Sequence, residues 1–344
     1  MRNVGSAVTA AIAAIALMTA PSAMASAGDD AHLILGDVTS IPAATTGQGS
    51  VQCPPGERAI SGGVRVLTPI GAWISISGPL DETGSFSLTT TGDVPRYWYT
   101  ALTNPSAVNP LYTTFYAVCS ASSDATVQAT TFTLSGLAEA TATTGCPSGQ
   151  RLVGGGVGTN GAVNSRLFAN QPESLPHAQF SQMRDGDVPI DWYADIENMT
   201  SGTRTYEVYA LCSPTSTATL EVTALQLVSG DTDAAVADCP GDERALSGGF
   251  GGDGVPATAT FNSPIDQGEI RKSVGWAAYL TAPQPNPDRL IYNYAVFALC
   301  EGPSSPRAAA VPTGQRAAAL AKCKKKRSSR ARKKCKRKAN LLPV

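Results

Sequence analysis

The chain has 344 residues, of which 15% are charged, and a formal net charge of −1. Only two histidines are present, so a histidine-based hydrolase triad or a histidine-rich metal site is not expected. Glycine (33 residues), proline (24) and abundant Thr, Ser and Val favour strands and turns over helix.

Read from the start, Arg2 precedes an apolar stretch from Val8 to Met18, and small residues follow at Ala23-Met24-Ala25 and Ala25-Ser26-Ala27. This is the layout of a secretory signal covering 1–27, cleaved after Ala25 or Ala27. The stretch is shorter than the roughly 20 apolar residues a membrane span needs, and no later segment is longer, so no transmembrane anchor is expected after its removal. Export makes disulfides the expected state of the cysteines.

The body repeats itself. Cys53, Cys146 and Cys239 are each 93 residues apart and each is followed by proline (Pro54, Pro147, Pro240). An arginine comes five positions later (Arg58, Arg151, Arg244), then a glycine pair (Gly62-Gly63, Gly155-Gly156, Gly248-Gly249). A proline (Pro79, Pro172, Pro264), a tryptophan (Trp98, Trp192, Trp276) and a closing Ala-x-Cys (Cys119, Cys212, Cys300) complete each copy. Repetition at this period predicts three β modules, at 28–122, 123–215 and 216–303, each of sandwich size. One bridge per copy is the simplest pairing: Cys53–Cys119, Cys146–Cys212 and Cys239–Cys300.

Period-two alternation predicts which side chains face inwards. Trp98, Thr100 and Leu102, Trp192, Ala194 and Ile196, and Trp276, Ala278 and Leu280 share one face, while Asp191, Tyr193 and Asp195 take the wet one. In the closing strands the residues in phase with the cysteine are Phe115 and Ala117, Val208 and Ala210, Val296 and Ala298. Each glycine pair follows a short β run, which predicts a bulge or a close backbone approach.

The pattern C-P-x-x-x-R-x-x-[SG]-G-G, then Pro, Trp and A-x-C, resembles exported bacterial repeat proteins of uncharacterised function over about residues 32–303. The resemblance implies secreted β modules and brings no catalytic residues. A weaker likeness, to vitelline membrane outer layer proteins, implies the alternative of one shared three-fold β-prism. The third copy lacks the Gly-Asp-Val-Pro segment found at Gly92–Pro95 and Gly186–Pro189.

Chemistry-bearing patterns are sparse. No nucleophile elbow, zinc-protease or phosphate-loop motif occurs, and neither a cofactor nor a metal is expected. Asp93 and Asp187 read as turn residues. The carboxylates Asp185, Asp187, Asp191 and Asp195 support a competing reading as a polysaccharide hydrolase acting through module 2. Tyr97, Tyr99, Tyr193 and Tyr279 form a candidate glycan face, with cross-strand packing as the plain alternative. Asn198-Met199-Thr200 fits a glycosylation sequon, expected to be unused in a bacterial source.

After residue 304 the composition changes. Fourteen basic and no acidic residues lie from Arg307 to Val344, whereas residues 26–306 carry 11 basic and 27 acidic ones. The net charge of −1 therefore combines a body of −16 and a tail of +14 with the single charge of Arg2. The basic run is Lys322, Lys324, Lys325, Lys326, Arg327, Lys333, Lys334, Lys336, Arg337 and Lys338. It suits attachment to an anionic cell envelope. Folding back onto the acidic body is the alternative, and nucleic acid is not expected. Cys323 and Cys335 bridge either within a hairpin turning near Ser328-Ser329 or between chains. The sequence therefore predicts a secreted, envelope-associated structural or binding protein.

Overall fold

The computed structural model describes residues 26–303, except 68–70, 87–88, 161–163, 175–181, 253–256, 268–271 and 284–289, together with Cys335. The expected signal up to residue 25, His177, Cys323 and the basic run lie outside the described residues.

After a single helical turn, α1 (Ala27–Asp30), the elements of the body among the described residues are all strands. Module 1 contains β1 (His32–Ile41), β2 (Thr45–Gln52), β3 (Arg58–Val66), β4 (Trp73–Leu80), β5 (Tyr97–Asn104) and β6 (Leu111–Ser120). Module 2 contains β7 (Thr126–Leu134), β8 (Glu139–Gly145), β9 (Arg151–Thr159), β10 (Ser165–Glu173), β11 (Asp191–Asn198) and β12 (Arg204–Ser213). Module 3 contains β13 (Thr219–Val228), β14 (Thr232–Asp238), β15 (Arg244–Gly252), β16 (Thr258–Gln267), β17 (Lys272–Thr281) and β18 (Ile291–Glu301).

These strands form three six-stranded sheets, and each sheet is shared by two modules. The orders are β1-β6-β3-β16-β17-β14 (the 1/3 sheet), β2-β5-β4-β9-β12-β7 (the 1/2 sheet) and β13-β18-β15-β10-β11-β8 (the 2/3 sheet). Every module gives three strands to each of two sheets, and one hydrophobic core runs through all three. Of the two arrangements open at the level of sequence, the structure builds the shared, prism-like one. The modules join at one bridging residue pair per sheet, Val64 with Asn262, Val157 with Ser77, and Phe250 with Asn170.

The repeated residues make these junctions. Trp98, Trp192 and Trp276 are at most 2% exposed, and each indole donates to the side chain at its own module's junction position: Ser77 Oγ at 2.9 Å, Asn170 Oδ1 at 2.7 Å, and Asn262 Oδ1. A Cβ on the first glycine of each pair (Gly62, Gly155, Gly248) would collide with that tryptophan. One on the second (Gly63, Gly156, Gly249) would collide with the adjoining module's backbone, at Asn262, Ser77 and Asn170 respectively. Just before each pair the pairing register slips at Ile60, Val153 and Leu246, so both the bulge and the close approach are present.

Each arginine of the repeat reaches into the next module. Arg58 donates to the Ala125 carbonyl (2.5 Å), Arg151 to those of Thr217 and Ala218 (both 3.0 Å), and Arg244 to that of Ala31 (2.7 Å). The third clamp closes the series into a ring. A second contact beside it appears in two versions. Asp30 accepts from Ser120 Oγ at 2.6 Å, and Asp124 from Ser213 Oγ. This contact lies within a module, and in module 3 the roles exchange: Glu301 stands where the serines do and accepts from Ser216 Oγ (2.8 Å) and the Thr217 backbone N–H. Its other oxygen accepts from the Gly28 N–H at 2.8 Å, tying module 3 to α1.

The three expected disulfides are formed, Cys53–Cys119, Cys146–Cys212 and Cys239–Cys300, with Cα–Cα distances of 5.6, 5.5 and 5.5 Å. Each ties the two sheets to which its module contributes. Cys335 is also disulfide-bonded.

Candidate binding face

Alternation places one side of every tryptophan strand in the core and the other on an outer sheet face. On β11 this is strict: Trp192, Ala194 and Ile196 are fully buried, while Asp191, Tyr193, Asp195 and Glu197 are half-exposed. The four candidate tyrosines occupy such outer positions on three different sheets: Tyr97 and Tyr99 on the 1/2 sheet, Tyr193 on the 2/3 sheet and Tyr279 on the 1/3 sheet. They do not form one platform.

Their surroundings differ. Tyr99 donates to Gln48 Oε1 at 2.6 Å and meets Phe86 edge to face with centroids 4.9 Å apart, and burial pushes its phenol up to about 12. Tyr279 stacks on Phe261 at 5.8 Å and shares a 3.0 Å hydrogen bond with the Thr232 hydroxyl. Tyr193 lies among hydroxyls and carboxylates. Burial first, then Asp195 and Glu173, raise its phenol, while a hydrogen bond with Thr141 opposes them.

The four aspartates of module 2 divide into two groups. Asp187 accepts from the Arg184 N–H (2.9 Å) and Ser174 Oγ (3.1 Å), and Asp93 in module 1 likewise accepts from Thr90 N–H and Oγ1. Both carboxylates brace a turn, as sequence reading expects. That turn also has an unforeseen job. Its backbone pairs with the first strand of the next module, Gly92 and Asp93 with Val127, Gly186 and Asp187 with Leu220. Asp185 joins the same clasp by accepting from the Val222 N–H at 2.9 Å. Glu221 stands beside it; burial and then Asp185 raise its carboxyl to about 7.

Asp191 and Asp195 instead share the outer face of the 2/3 sheet with Tyr193. Asp195 is raised to about 7, chiefly by burial and further by Glu139. Around it lie polar groups that sequence reading did not single out. Gln171 sits opposite Tyr193, which in turn sits opposite Thr143, and Glu173 sits opposite Asp191. Gln171 and Glu173 are 4% and 1% exposed. One rung further, Arg166 is 3.8 Å from Glu197 and lies over the Trp73 ring.

Other chemistry is sparse. His32 Nε2 is 3.4 Å from Glu57. Among the described residues no group of three or more His, Cys, Asp or Glu is placed to hold a metal ion, and no helix is long and apolar enough to cross a membrane. The Asn198 side chain is fully buried and donates to the carbonyls of Leu134, Ser135 and Gly202, so the sequon braces a hairpin in the folded protein.

Fold and site together define an all-β, disulfide-stapled scaffold of three modules with one strongly polar outer face. Compared with known proteins, the chain matches no family model and no curated relative.

Proposed function

We propose that the protein is an exported structural and binding scaffold, held on an anionic cell envelope by residues 307–344, like the exported repeat proteins whose pattern it shares. The observation that carries this reading is the separation of charge, −16 over residues 26–306 against +14 over 307–344. A segment so basic on an acidic body favours an anionic partner without requiring the body to be basic. Three disulfides support an oxidising destination, and three modules in one ring suit a stable display of surface.

The test is retention on envelope preparations across a salt series, with the full chain and with residues 307–344 deleted. Screening shortens from about 10 Å at 0.1 M salt to about 3 Å at 1 M. The full chain is therefore expected to release as salt rises, and the deleted form to stay unbound. Retention indifferent to both salt and deletion would overturn the reading.

A further inference from the structure

Because the chain contains three copies of each outer patch, they can be compared position by position. In the 1/2 sheet the patch consists of Gly78, Leu80, Tyr99 and Ala101, and in the 1/3 sheet of Ser263, Ile265, Ala277 and Tyr279. The corresponding residues of the 2/3 sheet are Gln171, Glu173, Tyr193 and Asp195. Two copies thus build the scaffold with small, apolar or aromatic residues here. The third places an amide and two carboxyls where the fold does not need them.

Gln171 and Asp195, with the neighbouring Thr143, are also incompletely partnered. Gln171 is 4% exposed, yet its Oε1 has no hydrogen-bond partner. Asp195 Oδ1 and Thr143 Oγ1 are likewise buried and unpartnered. Unpaired buried polar atoms are costly and rare, and several on one patch mark a place where an additional partner fits. The patch deepens from the exposed Thr141 on edge strand β8, past half-exposed Tyr193 and Asp195, to buried Gln171 beside Gly251.

We propose that the outer face of the 2/3 sheet around Tyr193 is a saccharide-binding site, with Gln171, Asp195 and Thr143 pairing sugar hydroxyls and the Tyr193 ring covering one side. This rests on the binding reading above and assigns it a place and a ligand class. Sugar hydroxyls both donate and accept, which suits a mixed set of amide, carboxyl and hydroxyl partners on neighbouring strands about 4.8 Å apart. The adjacent cation, Arg166, is already engaged by Glu197 and Trp73. The carboxyls of Glu173, Asp191 and Asp195 around Tyr193 disfavour an anionic ligand.

The experiment titrates cellohexaose, xylohexaose, mannohexaose and chitohexaose into the full secreted chain by calorimetry, with hexylammonium as a cationic control. At least one hexasaccharide is expected to bind, and Asp195→Ala and Tyr193→Ala each to weaken it tenfold or more. Tyr112→Ala, on the 1/3 sheet, should leave it within twofold. Thermal melts accompany each variant; should Tyr193→Ala unfold, Asp195→Ala and Thr143→Val decide the matter. Sugar binding that survives these substitutions overturns the site but not the binding reading. No sugar binding, or binding of hexylammonium alone, overturns the ligand class, while envelope retention still tests the parent reading independently.

Discussion

Asp195 has a consequence for stability that its neighbours set. Its buried carboxyl lies near Glu139 and Tyr193 and is held at about 7 against an ordinary 3.8. Between those values the folded chain keeps a proton that the unfolded chain has released, so stability falls as pH rises from about 4 to about 7 and is level above. Denaturant melts of Asp195→Asn should lack this share of the decline and should show the variant gaining on the parent at pH 8. Leu137 offers an opposite test. It is 72% exposed with φ at 58°, a left-handed conformation, at a turn where the third module has Gly230 (φ 83°). Left-handed backbone costs a side-chain-bearing residue about 1–2 kcal/mol, so Leu137→Gly should raise stability by about 1 kcal/mol, measured as an upward shift in Tm. The inward tryptophans and the glycine bulges were legible in the sequence because threefold repetition marks them and strand alternation orients them. Gln171 was not. A polar residue two before a strand's end looks like any wet position until the register shows it buried beside Gly251.

At the scale of elements, the disulfides close loops of nearly the same length, with separations of 66, 66 and 61 residues. Chain entropy alone then predicts nearly equal contributions, each about 2–4 kcal/mol. Replacing both cysteines of any one bridge by serine should lower stability by a similar amount in each module, as read from urea midpoints. The closing strands β6, β12 and β18 show what alternation conceals. The residues in phase with the cysteine are buried, as expected, but so are Tyr116, Tyr209 and Phe297 between them. Tyr116 reaches across Gly63 to donate to the Asn262 carbonyl, and Phe86 stacks 6.2 Å from Tyr209. Outer faces are therefore covered at their centres. The apolar runs Phe115–Cys119, Val208–Cys212 and Val296–Cys300 carried that signal, since a strand buried on both sides loses its alternation.

The whole molecule is governed by shared sheets. Module boundaries are plain in the sequence, yet the partner each half-module chooses is not, because a junction is one bridging pair and has no periodic signature. Since no module owns a complete sheet, calorimetry of the full body should show one transition with matching calorimetric and van't Hoff enthalpies. Residues 123–215 expressed alone should show none. The clamp Arg244 to Ala31 repeats what Arg58 and Arg151 do at the other junctions. A chain restarted at residue 123, with residue 303 linked to residue 26, should therefore fold and melt near the parent temperature.

That ring of equivalent contacts is the bonding pattern of a homotrimer written on one chain. Glu301 replaces Asp30 and Asp124 on the opposite side of the same contact, so the acid–hydroxyl pair is kept with its two sides exchanged. In a true trimer any change to an outer face would appear three times at once. Covalent linkage removes that restriction: two faces can remain plain structural surface while the third accumulates polar groups that, repeated threefold, would burden the whole fold.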